Sequence, residues 1–526
     1  MGMLTALSPT RLKWSSAPIH PVLVAAYPVL FLFAENAEQQ VTLTPLWIPL
    51  AVCVAGGLGT LLVLTLALRD WQRGALLASL LLALFFSFGH VWNLVGSVLG
   101  QRWVLGAVWL AIALAGGFLI WRGGRWVPGT GRFLNVAGLL LVAFNLIRVV
   151  NYASVAAAAG ESVAPPDDVQ LTAPDQLPDI YYIILDRYAN VDTLRDLYRF
   201  DNEPFMRELE ERGFTVARHA WANYFKTALS VYSSLSMKHI DPEELDVGEP
   251  PHDFTSIFAA LRDHLAVPTA LKSLGYSYVH LGNWWEPTAT NVDADVSLRF
   301  QESAEFSGAL FSTTLLSLFS PPAESGGTDE DGETIDRRDL ARDTTLYAFD
   351  RLEESAGRAG PTFVFAHILV PHPPYIFNPD GSVLAEDVAR SRSERVNYVR
   401  QMRFANTRVL AAIDTLLSGS GSDPIVILQA DEGPWPRGFT QNQSRFQWLD
   451  APPEEIQKKF GILNAIHLPD GLDPADYGFN DRTSPVNEFR IVFNAIFDAE
   501  LPLLPDVTYL SPDYARMYDF VPYPHD

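Results

Sequence analysis

The chain has 526 residues, of which 48% are hydrophobic and 19% are charged, below the roughly 25% charged residues usual in soluble proteins. The charge is unevenly distributed, because residues 1–155 contain nine Lys or Arg and three acids whereas the whole chain carries −23. This split excludes a uniform soluble globule. The acidic remainder excludes a nucleic-acid-binding protein, since it repels phosphate backbones. The single cysteine, Cys53, excludes disulfides and cysteine-based metal sites from the acidic part.

Long apolar stretches fill the first part of the chain, at approximately 19–34, 45–68, 74–97, 103–121 and 133–152. A bilayer core of ~30 Å needs about 20 such residues in a helix. The sequence therefore predicts a transmembrane region with five helices over residues 1–153. The first stretch is short and contains Pro21 and Pro28. A signal peptide with Arg11 and Lys13 as its charged head is the alternative for this stretch.

The loop charges predict the orientation of these helices. Basic residues lie before the first stretch, between the second and third, and between the fourth and fifth. The other two loops contain Glu35 and Glu38, or only Arg102. The positive-inside rule then places the N-terminus in the cytoplasm. An odd number of spans places the C-terminal domain outside the cytoplasmic (inner) membrane.

Two low-complexity segments divide the rest of the chain. Residues 154–178 are rich in Ala, Pro and acids without periodicity, which predicts a linker to an exported domain at 179–526. Residues 320–337 are predicted to be an acidic surface loop within that domain.

The exported domain alternates buried strands with helical patterns. Continuous apolar runs predict strands at 179–185, 362–369 and 424–430. Helical patterns are found at 191–212, 227–237, 268–274, 339–357 and 394–417. This alternation predicts an α/β domain with a largely parallel central sheet. In such a sheet, ligands bind beyond the carboxyl ends of the strands.

Acids and histidines collect at those strand ends. Asp186 follows the first strand, Asp431 and Glu432 follow the third, and His367 and His372 lie in and after the middle one. Taken singly, each has an ordinary explanation: a helix cap, a turn, or a structural histidine. Their joint appearance predicts one site.

A hydroxyl accompanies these acids. Thr227 follows Lys226 at a predicted helix start. Three carboxylates and a hydroxyl suit a hard divalent cation, and a hydroxyl beside a cation becomes a stronger nucleophile. The alternative is that Thr227 only caps the helix.

With these residues, the chain resembles the sulfatase-like branch of the alkaline phosphatase superfamily. It is most similar to the membrane-anchored lipoteichoic acid synthases and lipid A phosphoethanolamine transferases. The resemblance covers about residues 1–500 in architecture and about 179–490 in motifs. It implies an alkaline phosphatase-like fold for the exported domain.

The resemblance also implies roles for individual residues. The metal ligands would be Asp186, Thr227, Asp431 and Glu432. The catalytic residues would be Thr227 as nucleophile, with His367 and His372 at the phosphoryl group and leaving oxygen. The substrate-binding residues would be Lys226, His280 and Asn283.

The chain departs from the family at Glu432, where most members have His. Three carboxylates then face one divalent ion. Replacing nitrogen by oxygen favours Mn²⁺ or Mg²⁺ over Zn²⁺, with Ca²⁺ and Zn²⁺ kept as alternatives.

The sequence therefore predicts a membrane-anchored, metal-dependent hydrolase or transferase. It would act on phospho-substituted lipids or glycans outside the cytoplasmic membrane, through a covalent threonine intermediate. The expected partner is a membrane lipid or envelope glycan substrate, with no nucleic acid. The alternative is a catalytically inactive sulfatase-like scaffold or binding protein in envelope assembly, which the substitution at Glu432 motivates.

Overall fold

The computed structural model describes residues 17–36, 43–162, 169–245, 254–263, 265–300, 304–319, 336–439 and 443–524. Almost all of the acidic loop predicted at 320–337 lies outside the described residues, as do Arg11, Lys13 and Glu38 of the predicted topology. The chain forms two compact units. Among the described residues, the first unit contains 17–36, 43–153 and 305–319, and the second contains the others.

The first unit is built from five helices near the N-terminus: α1 (His20–Glu35), α2 (Thr44–Leu68), α3 (Trp71–Leu99), α4 (Arg102–Arg122) and α5 (Val127–Ser162). Four of them, α2 to α5, are long and apolar enough to cross a membrane. Helix α1 has only 16 residues. At 1.5 Å per residue it rises about 24 Å, which is less than the ~30 Å of a bilayer core. Four of the five predicted spanning helices are therefore confirmed as long enough to cross a membrane, and the first, α1, is a shorter apolar helix.

Helix α5 corrects the predicted linker. It continues to Ser162, so the first part of the segment at 154–178 is helical. The Ala-rich sequence there explains the difference, because Ala has the highest helix propensity. Residues 163–168 lie outside the described residues.

A seven-stranded sheet forms the centre of the second unit. Its strands are β1 (Ile180–Leu185), β2 (Thr215–Val216), β3 (Ser277–Leu281), β4 (Val296–Leu298), β5 (Thr362–Ile368), β6 (Ile425–Gln429) and β7 (Asn464–His467). Their order is β2-β7-β6-β1-β5-β3-β4. Neighbours from β6 to β4 run parallel, whereas β7 and β2 add antiparallel pairs at one side. The second unit is thus α/β with a mostly parallel central sheet, as predicted.

A separate two-stranded sheet pairs β8 (Thr508–Leu510) with β9 (Val521–Tyr523). The remaining α-helices are α6 (Val191–Asp196), α7 (Glu203–Glu210), α8 (Thr227–Ser236), α9 (Thr255–Asp263), α10 (Ala266–Ser273), α11 (Ala304–Thr313), α12 (Asp336–Ser355), α13 (Glu386–Arg390), α14 (Glu394–Gly419), α15 (Pro453–Phe460) and α16 (Glu488–Phe497).

The three strands predicted from apolar runs form the middle of the sheet. Every residue of β1, β5 and β6 is buried, because both faces of the sheet are covered. The helix predicted at 191–212 is instead divided into α6 and α7. Arg199 has a left-handed backbone (φ 54°) between them, and Pro204 opens the second helix, where its missing N–H does no harm.

Candidate metal and catalytic site

The carboxyl ends of three neighbouring strands bring the predicted residues together. Ile184 on β1 is in register with His367 on β5 and with Gln429 on β6. Asp186 lies two residues after Ile184, and Asp431 lies two residues after Gln429. Asp186, His367 and Asp431 are all buried, and one ligand atom from each lies within 4.8 Å of the others. Residues far apart in sequence therefore converge because their strands are adjacent and parallel.

The atoms that face one another in this group have no protein partner. Asp186 Oδ1, Asp431 Oδ2 and His367 Nε2 are buried without a hydrogen bond. Burial, followed by the charge of Asp431, raises the pKa of Asp186 well above its usual range. An unpartnered buried polar atom costs about 1–3 kcal/mol, and more if charged. Two carboxylates and an imidazole nitrogen are a donor set that fits a divalent cation.

Thr227 contributes its hydroxyl to the same group. Helix α8 begins at Thr227, with Lys226 at the N-cap position and no side-chain cap. Thr227 is thus the first helical residue and not the capping residue that the sequence allowed. Burial raises the pKa of Asp431, and the neighbouring Thr227 hydroxyl opposes this shift. The hydroxyl therefore lies beside this carboxylate.

His367 belongs to this group more closely than the sequence predicted. Its Nε2 lies 4.0 Å from Asp186 Oδ2, and its Nδ1 lies 2.9 Å from Thr288 Oγ1. Burial lowers the pKa of His367 to about 3, so the ring is neutral. A second partner on the far nitrogen is typical of histidines that ligate metals. The structure thus places His367 with Asp186 and Asp431, while its place at the phosphoryl group and leaving oxygen stays a prediction.

Glu432 differs most from its predicted role. Its Oε1 lies 2.6 Å from Lys459 Nζ and 3.6 Å from Arg187 Nε, and all three side chains are buried. Burial raises the pKa of Glu432 and lowers the pKa of Lys459 to about 7. The Glu432 carboxylate is held by cations through Oε1, whereas its Oε2 is buried without a hydrogen bond. Geometry therefore makes it the anion of a buried ion pair, and its role as a fourth metal ligand stays a prediction.

Gly433 makes this ion pair possible. A Cβ at this position would lie 2.2 Å from the Lys458 carbonyl oxygen and 2.9 Å from that of Lys459. Because only glycine permits this approach, the segment after β6 lies directly on the end of α15. Lys459 is thereby brought to Glu432.

Arg187 and Lys459 are site residues that the sequence reasoning missed. Arg187 has a left-handed backbone (φ 63°), and its N–H donates to Asp431 Oδ1 at 3.4 Å. Its guanidinium lies 4.2 Å from the centre of the Trp435 ring. Strained backbone at a strand end is common at functional sites. Its position directly after Asp186 was a usable signal for Arg187, but no local pattern marks Lys459.

Two predicted substrate-binding residues instead support His367. His280 is buried, with its ring nitrogens 3.0 Å from Tyr278 Oη and 2.9 Å from the Thr288 carbonyl oxygen. Burial lowers the pKa of His280 to about 4. Asn283 is also buried and donates to the His367 carbonyl at 2.9 Å. Their polar atoms form hydrogen bonds inside the protein, and their contact with substrate stays a prediction.

His372 and Lys226 lie closer to the surface. His372 Nδ1 contacts the Pro373 carbonyl oxygen, and its ring meets Trp284 edge-on at 5.9 Å. Burial, followed by the charge of Arg187, lowers the pKa of His372. Lys226 Nζ lies 4.5 Å from the centre of the Trp435 ring and 3.4 Å from Gln443 Oε1. Both side chains are partly accessible, as a role at a substrate requires.

A cavity of about 580 Å³ adjoins the site at Arg187. Its lining includes Tyr375 and Trp435 together with the exposed Arg199 and Arg395. This volume is typical of small-molecule sites. Arg187 thus lines the cavity with its side chain and contacts the Asp431 carboxylate with its backbone.

No protein-family model matches this chain, and no curated protein matches it. Several solved structures are similar at low identity. The C-terminal periplasmic domain of EcEptC from Escherichia coli is 12% identical with a TM-score of 0.40, over 69% of this chain and 96% of that one. Lipooligosaccharide phosphoethanolamine transferase A from Neisseria meningitidis, an integral membrane protein, is 13% identical with a TM-score of 0.39, over 92% and 94%.

The lipoteichoic acid synthase LtaP from Listeria monocytogenes is 14% identical with a TM-score of 0.36, over 68% of this chain and 84% of that one. These are the kinds of protein that the sequence motifs resemble. Because the identities are 12–14%, the chemistry of this chain has to be argued from its own residues.

Proposed function

We propose that the chain is a membrane-anchored, metal-dependent phosphoester hydrolase or phosphotransferase of the alkaline phosphatase-like type, acting outside the cytoplasmic membrane. The observation that carries this proposal is the convergence of Asp186, His367 and Asp431, whose facing atoms lack protein partners, with the Thr227 hydroxyl on Asp431. The four apolar helices α2 to α5 support the membrane anchor. Lipid headgroups or envelope glycans are the substrates that such an anchor would favour.

The residues that would hold the metal are Asp186, His367 and Asp431, with the Thr227 oxygen. When bound, a divalent cation would supply positive charge to stabilise the anionic oxygens of a phosphoester. The mixed oxygen and nitrogen donors suit Mn²⁺ or Zn²⁺ better than an all-oxygen set would, with Mg²⁺ and Ca²⁺ as alternatives. Glu432 would act as the anion of the ion pair, because Lys459 and Arg187 engage its Oε1 and its carboxylate is not part of the group formed by Asp186, His367 and Asp431.

The Thr227 oxygen would be the nucleophile. Its position beside Asp431 supports this role, because a neighbouring carboxylate can accept the hydroxyl proton. The bond from Oγ1 to phosphorus would form as the bond from phosphorus to the leaving alcohol breaks, and the hydroxyl proton would end on that alcohol. Water or an acceptor hydroxyl would then break the phosphothreonine bond and restore Thr227.

His372 and Lys226 would act at the accessible side of the site. His372 has its Nδ1 at the Pro373 carbonyl, which leaves Nε2 to carry a proton between the alcohol and solvent. Lys226 would attract the anionic substrate. The cavity at Arg187 would receive the leaving or accepting group.

The test uses the full chain in detergent with Mn²⁺ and bis(4-nitrophenyl) phosphate as a chromogenic probe. We expect Thr227→Ala to lower kcat/KM by about 10³-fold or more, as loss of a nucleophile does in other enzymes. Mass spectrometry of the quenched parent protein should find a 4-nitrophenyl phosphoryl group on Thr227, since attack on this diester releases one 4-nitrophenol and keeps the other. Thr269→Ala, an exposed helical threonine, is the matched control. Full turnover in Thr227→Ala would sink the proposal, and a chain with neither turnover nor bound metal would favour the scaffold.

A further inference from the structure

Residues 304–319 pack in a different unit from the segments that flank them in sequence. They lie between β4 and α12, which both belong to the second unit, yet from residue 305 they belong to the helical unit. They form α11 and a 3₁₀ turn at Leu315–Leu318. The contacts that α11 and this turn make within the helical unit explain why they belong to it.

The contacts of α11 are apolar and buried. Phe306 and Leu310 are 4% and 8% exposed, and Phe306 meets the Phe33 ring edge-on at 5.8 Å. They share a cluster with residues of α1, α2 and α5: Val29, Leu30, Phe33, Ala34, Leu46 and Val149. Burial of these two side chains stabilises the packing of α11 in the helical unit.

The turn after α11 is fitted closely to α3 and α4. A Cβ at Gly89 would lie 2.1 Å from the Ser312 carbonyl oxygen, so only glycine permits this approach. Arg102 Nη1 donates to the Ser317 carbonyl at 2.7 Å. Gly106 faces Leu318, with 3.1 Å between a Cβ there and that side chain.

These contacts all lie at one end of the helix bundle. They come from the last turns of α1, the first turns of α2 and α4, and the C-terminal part of α3 and α5. This is the end at which α5 leads out of the unit, after Ala153. Residues 304–319, which we call the elbow, therefore pack at the end of the bundle where α5 leaves the unit.

The elbow has an apolar outer face. Leu316 is 47% exposed and Phe319 is 70% exposed, and Phe319 meets the Trp103 ring edge-on at 5.7 Å. Trp103 begins the exposed apolar face of α4, which continues through Val104 and Val108. Because only 11% of the spanning window of α4 is buried in protein, that face contacts lipid in a membrane. The elbow's face is continuous with it.

We propose that residues 304–319 form an interfacial membrane element, with Leu316 and Phe319 inserted into the lipid at the exported end of the bundle. Phe, Trp and Arg side chains at one depth are characteristic of the membrane–water boundary. The partner is the bilayer itself. The segment between β4 and α12 would thus contact lipid in addition to the spanning helices. This inference does not depend on the proposed chemistry of Thr227.

Lipid quenching tests the inference on the full chain. Cysteine is placed at one position at a time in a Cys53→Ser background, labelled with an environment-sensitive dye, and reconstituted into phosphatidylcholine vesicles with brominated acyl chains. We expect Leu316→Cys to be quenched about as strongly as Leu114→Cys, an exposed position on α4. Glu454→Cys, exposed in the second unit, should stay unquenched.

Two further outcomes decide the inference. If the dye at position 316 is quenched no more than the dye at position 454, the inference is overturned. The elbow's seat is tested by Gly89→Val, which should lower quenching at 316, against Gly59→Val, whose Cβ would meet nothing within 4 Å. If Gly89→Val does not fold, the comparison of 316 with 454 in the otherwise native chain still decides.

Discussion

The Lys459 ammonium lies 2.6 Å from the Glu432 carboxylate, and neither side chain is accessible to solvent. Lys459 also lies 3.3 Å from the centre of the Trp435 ring. An isolated buried charge is costly, whereas a matched pair with further partners is tolerated. The carboxylate that Glu432 introduces next to Asp431 is therefore neutralised inside the protein.

This pair predicts an asymmetric effect on stability. Lys459→Met should lower the free energy of unfolding by about 3–5 kcal/mol, because the buried Glu432 carboxylate loses its nearer cation and keeps only the Arg187 contact at 3.6 Å. The double variant Lys459→Met/Glu432→Gln should recover most of this loss. Urea unfolding of the detergent-solubilised chain measures both. Lys458→Met, next to it and paired with Glu394 at 3.9 Å, should cost about 1 kcal/mol or less.

Metal binding separates the geometric ligand group from the one predicted by sequence. Asp186→Asn and Asp431→Asn should each abolish Mn²⁺ binding in calorimetry of the chelator-treated full chain, because each removes a charged oxygen from the group. The double variant Glu432→Gln/Lys459→Met should keep binding, since both charges are removed together. If that variant loses Mn²⁺ as completely as Asp186→Asn does, Glu432 is a ligand after all.

The hydrogen bond between Thr288 and His367 predicts that a residue which does not itself bind the metal affects metal affinity. Thr288→Val keeps the shape of the side chain but removes the hydroxyl partner of Nδ1, a nitrogen that Asn283 Nδ2 also approaches at 3.1 Å. We expect Mn²⁺ affinity to fall about 10–100-fold, the usual loss when such a partner is removed. Thr269→Val, whose hydroxyl bonds only within its own helix, should leave the affinity unchanged. Equal affinities in both variants would show that Thr288 does not position the ring.

Glu488 predicts the pH dependence of stability. Burial raises the pKa of Glu488 from 4.5 to about 8. Between these values the folded chain keeps a proton that the unfolded chain has released. This contribution to stability is therefore complete below pH 4.5 and is lost as the pH rises through about 8.

Glu488→Gln removes this titration while keeping an acceptor for Asn464. We expect the apparent Tm of the variant to change less between pH 5.5 and pH 8 than that of the parent, and to exceed it at pH 8. Glu454→Gln, at an exposed position, should behave like the parent. An unchanged pH dependence in Glu488→Gln would contradict the raised pKa.

Much of the framework could be read from local patterns. The apolar runs predicted β1, β5 and β6 because strands buried on both faces are almost continuously apolar. Asp186 and Asp431 could be singled out because a strand end is itself a local signal. The parallel order of those strands then made their convergence with Thr227 foreseeable.

Only the tertiary structure decided the roles of Glu432, His367 and residues 304–319. Glu432 is held by Lys459, which reaches it from another helix through the glycine at 433. His367 lies with Asp186 and Asp431 because their strands are adjacent, and Thr288 occupies its other nitrogen. The elbow packs in the helical unit because Phe306 and Leu310 join an apolar cluster there and Gly89 leaves room for the Ser312 carbonyl. Each depends on segments distant in sequence, whose meeting is set by packing and not by any local period.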